Sequence, residues 1–235
     1  IEVDQKSVGA AENAIKGVKN MASKLLGAIG IGFSIAGIAN LAEAAADAEA
    51  LKSQFSQVFG DLEQDASDKL DKIADETGVT VNRMKGSFTQ IAAFAKTTGM
   101  EQADALDIAD RSMKAVADSA AFYDRSIEDV TNSLQSFLKG NFENDAALGL
   151  SCTETTRNTA ANALYGKSFK DLSEAEKQLT LLQMVEDANK ASGAIGQAAR
   201  ESDTWTNQLG NLKQNVQDLK AAAGNAFLKP AVMVL

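Results

Sequence analysis

Apolar residues along this chain recur at steps of three and four, the 3.6-residue period of a helix. Strand-like runs rich in Val, Ile, Thr and Tyr are absent, so the expected class is all-α. From Val3 to Lys24, the positions Val8, Ala11, Ile15, Val18 and Ala22 mark a mildly amphipathic helix. LLGAIGIGFSIAGIANLA follows, from Leu25 to Ala42, without a charge. About 18 uncharged residues sit at the lower edge of what spans a bilayer as a helix. Within it, Gly27, Gly30, Gly32 and Gly37, beside Phe33 and Ile35, would let another helix approach closely. A glycine in a water-exposed helix costs up to ~1 kcal/mol, so the segment is expected to be paired, buried or membrane-inserted. From Ala42 to Phe59 the pattern turns amphipathic, with Ala44, Ala48, Leu51, Phe55, Val58 and Phe59 on one face.

Turn chemistry then divides the chain into short helices. Gly60 ends one helix and Asp61 is the expected N-cap of the next. Gly78-Val79 and Gly99-Met100 match the glycine-plus-apolar signal of a helix C-terminus, 21 residues apart. Capping boxes are expected at Ser173-Glu174-Ala175-Glu176, at Ser151-Cys152-Thr153-Glu154 and, more weakly, at Ser126-Ile127-Glu128-Asp129. The connections Lys139–Leu150 and Tyr165–Leu172 have the composition of turns. Towards the end, Ile195, Ala198, Ser202, Trp205, Leu209, Leu212, Val216, Leu219, Ala223 and Ala226 alternate steps of three and four. That is an a/d seam over about four heptads, with Trp205, Leu209, Leu212, Val216 and Leu219 as its large members. Gln and Asn flank it, which leaves open whether it docks on its own domain or forms an intermolecular coil. Pro230 is expected to stop it.

The expected organisation is therefore an array of short helices and helical hairpins in three parts. Residues 1–59 hold N-terminal helices with the hydrophobic Gly-rich segment 25–42. Residues 60–190 form a multi-helix domain, and 191–230 a coiled-coil-like helix. Beginning at Ile1 and stopping in an apolar phrase at Leu235, the 235 residues are expected to be a fragment of a longer protein.

Composition narrows the function. Aromatics are 6%, with one Trp, so the helices are expected to pack through small residues. Twenty-three basic against 32 acidic residues give a net charge of −9, and no basic stripe exists to displace counterions from phosphate. No specific nucleic-acid binding is expected. A single cysteine, Cys152, excludes an internal disulfide, and the absence of histidine removes the commonest general base and metal ligand. No phosphate-cradling glycine loop, nucleophile elbow or calcium loop is present. Asp61, Asp65, Asp68, Asp71 and Asp75, like Asp104, Asp107 and Asp110, are spaced as the wet face of a helix. Cys152 lies beside a helix start, which could lower its pKa. The expectation is a non-enzymatic chain with no catalytic residue, cofactor or metal.

Two longer phrases carry a family resemblance. TGVTVNRMKGSFTQIAAFAKTTGM and SFLKGNFENDAALGLSCTETTRNTAANALYGKSFKDLSEAEKQLTLLQMV, with the closing QAARESDTWTNQLGNLKQNVQDLKAAAGNAFLKP, are similar to the conserved helical region of phage tail tape measure proteins. The resemblance covers about Ala42 to Pro230, roughly four fifths of the chain. It implies a structural virion protein of a phage or prophage tail, or of a contractile bacteriocin. Such a protein occupies the tube lumen or tip, sets tube length and is made in the host cytoplasm. The implied partners are copies of itself, as trimer or hexamer, tail tube and tail tip or baseplate proteins, and the host membrane when it is ejected ahead of the DNA. Because turns interrupt this stretch, it resembles an end domain that anchors or starts assembly more than the ruler itself. The alternatives are a membrane-inserting pore-former using Leu25–Ala42, and an adaptor that binds partner helices through the Trp205–Ala226 seam.

If Leu25–Ala42 inserts into bilayers, Gly30→Asp or Ile35→Asp is expected to abolish liposome leakage, since a charge at bilayer depth costs ~2.5 kcal/mol or more. Unchanged leakage in these variants would remove the membrane alternative.

Overall fold

The computed structural model describes residues 35–143 and 145–232, with side chains for 39–143, 145–204 and 206–226. The expected N-terminal helix and Gly27, Gly30, Gly32 and Phe33 lie outside the described residues, as do the side chains of Ile35 and Gly37. The described chain is all-α, without a strand. Its helices are α1 (Ile35–Phe59), α2 (Glu63–Thr77), α3 (Val81–Thr97), α4 (Gln102–Phe122), α5 (Ile127–Leu138), α6 (Glu154–Tyr165), α7 (Glu174–Ser192), α8 (Gln197–Arg200) and α9 (Trp205–Val232). Short 3-10 turns occupy Gly60–Leu62, Asp145–Leu148 and Phe169–Asp171.

Two compact units divide this chain. One is Ser53–Asn211; the other joins Ile1–Lys52 with Leu212–Leu235, the two ends of the sequence. The sequence pattern drew its lines at 59/60 and 190/191 instead, because periodicity marks where a helix begins and not what it packs against.

Within Ser53–Asn211, α4 is the central element. Packed against α2, α3, α5, α7 and α8, it buries twelve of its 21 residues, among them Ala105, Ala109, Ala115, Ala117, Ser112, Ser119 and Ala120. A helix enclosed by neighbours has little room for long side chains, and the small residues let the surrounding helices close in. Larger side chains fill the spaces between, including Phe55, Phe59, Ile73, Phe88, Ile108, Leu134 and Phe137. Phe59 stands 4.8 Å from Phe55 and 5.3 Å from Phe88, ring centre to ring centre.

Several expected caps form. Gly78 takes φ 69° and its N–H donates to the Ala74 carbonyl at 2.8 Å, while Val79 is buried. Gly99 takes φ 85° with Met100 buried beyond it. Ser173 Oγ accepts the Glu176 N–H at 3.2 Å, and the Glu176 carboxylate accepts the Ser173 N–H at 2.7 Å. That returning bond from the Ser173 amide holds the Glu176 carboxyl below its usual range. At α5 only half a box forms, with Ser126 Oγ accepting the Asp129 N–H.

Others differ from expectation. The box before α6 is made by Thr153 and Thr156, not by Ser151 and Glu154, because the chain stays extended through Thr153 and the two hydroxyls can reciprocate. Asp61 does not cap α2. It lies inside a 3-10 turn that Gly60, at φ 46°, opens directly from the end of α1. Ala48 is exposed although Ala44 and Phe55 on its expected face are buried. Helix α9 runs past Pro230 to Val232. Near a terminus, the missing proline N–H costs a single bond to the carbonyl four residues back.

The core also holds a polar residue without a partner. Gln178 on α7 is 2% exposed, and neither atom of its amide makes a hydrogen bond. An unsatisfied buried amide costs about 1–3 kcal/mol, so Gln178→Leu, close in volume, is expected to raise the thermal midpoint by several degrees. A lower midpoint in differential scanning calorimetry would mean that ordered water satisfies the amide.

Candidate functional site

The candidate residues of the C-terminal seam fall on α9, but the seam is shorter than its spacing suggested. Ile195, Ala198 and Ser202 are not on that helix. Gly193 at φ 81° and Gly196 at φ 76° break the chain after α7, and α8 is a single turn. Asp118 on α4 fixes this break, its carboxylate accepting the Gly196 N–H at 2.8 Å and the Ala198 N–H at 3.1 Å. Arg200 closes it from the other side by donating to the Gly193 and Ile195 carbonyls. The three-four spacing was therefore a coincidence across a turn. The coiled-coil-like helix starts at Trp205 and not at 191; the Trp205 side chain lies outside the described residues.

On α9 the face that meets its own chain is polar or small. In the Ser53–Asn211 unit, Asn211 Oδ1 accepts the Thr80 N–H at 3.2 Å, and its amide donates to the Gly78 carbonyl at 2.8 Å. Asn207 receives a bond from Arg83 at 3.1 Å and also donates to Gly78. Gly210 lies against the Arg83 guanidinium, where any Cβ would collide with it. In the unit of the two chain ends, Ala221, Ala223 and Gly224 are buried, as are Leu41, Ala44 and Ala45 of α1. A Cβ on Gly224 would strike the Leu41 backbone carbonyl, so glycine is what allows the two backbones to meet. The large apolar residues point elsewhere: Leu209 is 38% exposed, Leu212 56% and Leu219 45%, with Val216 half-buried.

Ion pairs tie α4 to its neighbours. Asp110, expected on a wet face beside the exposed Asp104 and Asp107, is buried and paired with Lys69 at 3.1 Å and Lys114 at 3.3 Å. Arg111 donates to both oxygens of Glu186, at 2.9 and 2.7 Å, and these bonds raise its already high pKa. Ser119 donates to Asn189 at 2.9 Å, and Asn189 donates to the Ala115 carbonyl at 3.0 Å. These are structural ties between α4 and its neighbours, the ion pairs part-exposed and the Ser119–Asn189 bond buried. Asp61, Asp65, Asp68, Asp71 and Asp75 are all exposed on one face.

Cys152 is partly buried, and burial pushes its thiol up, ahead of the opposing effect of Arg157. Cys152 packs against the core as a small, partly buried residue. Arg157 donates to the Cys152 Sγ at 3.5 Å and stacks over the Phe142 ring, 4.1 Å from its centre. A cavity of about 180 Å³ lies between the end of α4 and the start of α9, walled by Val79, Ala117, Ala120 and Ile127 with Arg83 and Arg125 at its edge. Both guanidiniums are already engaged, Arg83 by Asn207 and Arg125 by the Ala147 carbonyl. Among the described residues no group of three or more Cys, Asp or Glu is placed to hold a metal, and no helix is long and apolar enough to cross a membrane.

Compared with protein-family models, curated proteins and solved structures, the chain matches none significantly.

Gly224→Leu is expected to break the close contact with α1. Amide hydrogen exchange should then speed up over residues 39–46 and 219–226 by more than tenfold, the loss of about 1.4 kcal/mol. Unchanged exchange there would mean that the backbones do not meet.

Proposed function

We propose that this chain is the anchoring end region of a phage tail tape measure protein, a structural part and not an enzyme. The observation that carries the reading is the pair of tape-measure-like phrases, which fold as consecutive capped helices. TGVTVNRMKGSFTQIAAFAKTTGM spans α3 between the stops at Gly78 and Gly99, and the second phrase runs from α5 through the capped starts of α6 and α7. Its partners on this reading are further copies of itself and the tail tube, tip or baseplate proteins, with the host membrane met on ejection.

The geometry fits an end region better than a ruler. A ruler converts length into residues at ~1.5 Å each and needs uninterrupted helix. Here the single-turn α8 and helices of 12 to 21 residues fold back on one another around α4, and among the described helices only α1, at 25 residues, and α9, at 28, run longer. The cross-links at Asp110 and Arg111 resist being drawn out into a rod.

The test is an in-frame deletion of α6 and α7 in the parent phage, read by negative-stain electron microscopy. Tails are expected to fail to assemble, or to assemble at full length without infectivity. Tails shortened by roughly 1.5 Å per deleted residue would make the region part of the ruler. Normal, infectious tails would overturn the tape measure reading.

A further inference from the structure

Helices α5 and α6 are both 12 residues long, yet α5 buries seven of its residues and α6 one, Ala161. Packed on α7 and on the turn Phe169–Asp171, α6 turns Thr155, Thr159, Asn162 and Leu164 to solvent. Its sequence offers little in place of burial. ETTRNTAANALY contains three threonines and two asparagines, residues from the weak end of the helix-propensity scale. A helix of 12 residues is marginal in water even when it is rich in alanine. Helix α6 therefore keeps its shape only while it is docked.

Few contacts do the docking, and they share one face. The Arg157 guanidinium lies 4.1 Å from the centre of the Phe142 ring and 5.7 Å from that of Phe169. Asn158 Oδ1 accepts the Phe169 N–H at 2.9 Å, and Ala161 is buried one turn further on. Beyond the helix, the exposed pair of Lys167 with Glu176, at 3.4 Å, adds little in water. The chain on either side of α6 is held more firmly. Before it, the Asp145 carboxylate accepts the Cys152 N–H, and Gly149, at φ 73°, lies against Tyr123. After it, Phe169 packs against the core, Leu172 is buried, and the box of Ser173 with Glu176 starts α7.

We propose that α6 is a releasable arm: residues 154–168 undock and unfold as one unit while α4, α5 and α7 keep their places. Release frees the Arg157 guanidinium and bares the rings of Phe142 and Phe169. It needs no other helix to move, because α6 gives the buried interior a single alanine. The device belongs to the Ser53–Asn211 unit and does not depend on what the chain assembles into.

The test is hydrogen exchange, read by mass spectrometry, on the whole 235-residue chain. Amides 158–165 are expected to exchange at least about a hundredfold faster than those of α5, while α7 stays protected. Urea below the unfolding transition should speed α5 and leave α6 nearly unchanged, because opening α6 exposes little surface. Arg157→Ala is expected to speed α6 about tenfold through the lost ring stacking, with α5 unaltered. The triple variant Thr155→Ala/Thr159→Ala/Asn162→Ala changes only exposed positions and should slow α6 about tenfold through helix propensity. Equal protection of α5 and α6, opening of α6 together with α7, or α6 rates that the triple variant does not slow would overturn the proposal. So would Arg157→Ala speeding α5 as much as α6, since α6 would then be integral to the unit.

Discussion

The enclosure of α4 by five other helices is the constraint on which the larger unit depends. A helix packed against five others has little solvent face beyond its first turns, where Asp104 and Asp107 are exposed, and little room for long side chains elsewhere. Its sequence answers with Ala105, Ala109, Ala115, Ala117, Ser119 and Ala120. Small side chains bury little area each, so the apolar burial is supplied mainly by residues that approach from around it, such as Phe55, Phe88, Leu134 and Phe137. The polar groups that α4 does carry at its margins are paired across helices. Asp110 meets Lys69, Arg111 meets Glu186, and Asp118 caps the turn at Gly196. A charge at such a margin destabilises unless it is hydrogen-bonded, so these pairs also specify which neighbour sits where.

The same economy of small residues governs the unit built from the two chain ends, where Leu41, Ala44 and Ala45 are buried along with Ala221, Ala223 and Gly224. There it has the opposite consequence for exposure. On the α9 side the backbones meet through glycine and alanine, against Leu41 of α1, while Leu212 and Leu219 are exposed. An ordinary amphipathic helix puts its leucines inside and its asparagines outside. Helix α9 does the reverse, and Asn207 and Asn211 serve as inward ties because each can both donate and accept at the Gly78 turn.

The partly buried ionisable groups of α4, Asp110, Arg111 and Asp118, are spent on holding it to other elements of its own unit. Taken separately, α2 presents an acidic, exposed face to solvent, and α9 leaves Leu212 and Leu219 exposed.

Where a structural feature depends on residues within about four positions of one another, it could be read directly from the chain. The all-α class, the stops at Gly78 and Gly99 and the reciprocal cap of Ser173 with Glu176 are of that kind, because cap bonds are local and depend on backbone angles that few residues adopt. Periodicity likewise placed Leu209, Leu212, Val216 and Leu219 on one helix. Only the tertiary structure decided which way that seam faces, since the spacing of leucines is the same whether a helix packs on itself or is left bare. It also decided that Asp110 is buried, through a lysine 41 residues away, and that 195–204 turn instead of continuing a helix, through Asp118 on another element. In each case the deciding partner is distant in sequence, and a period of three and four carries no record of it.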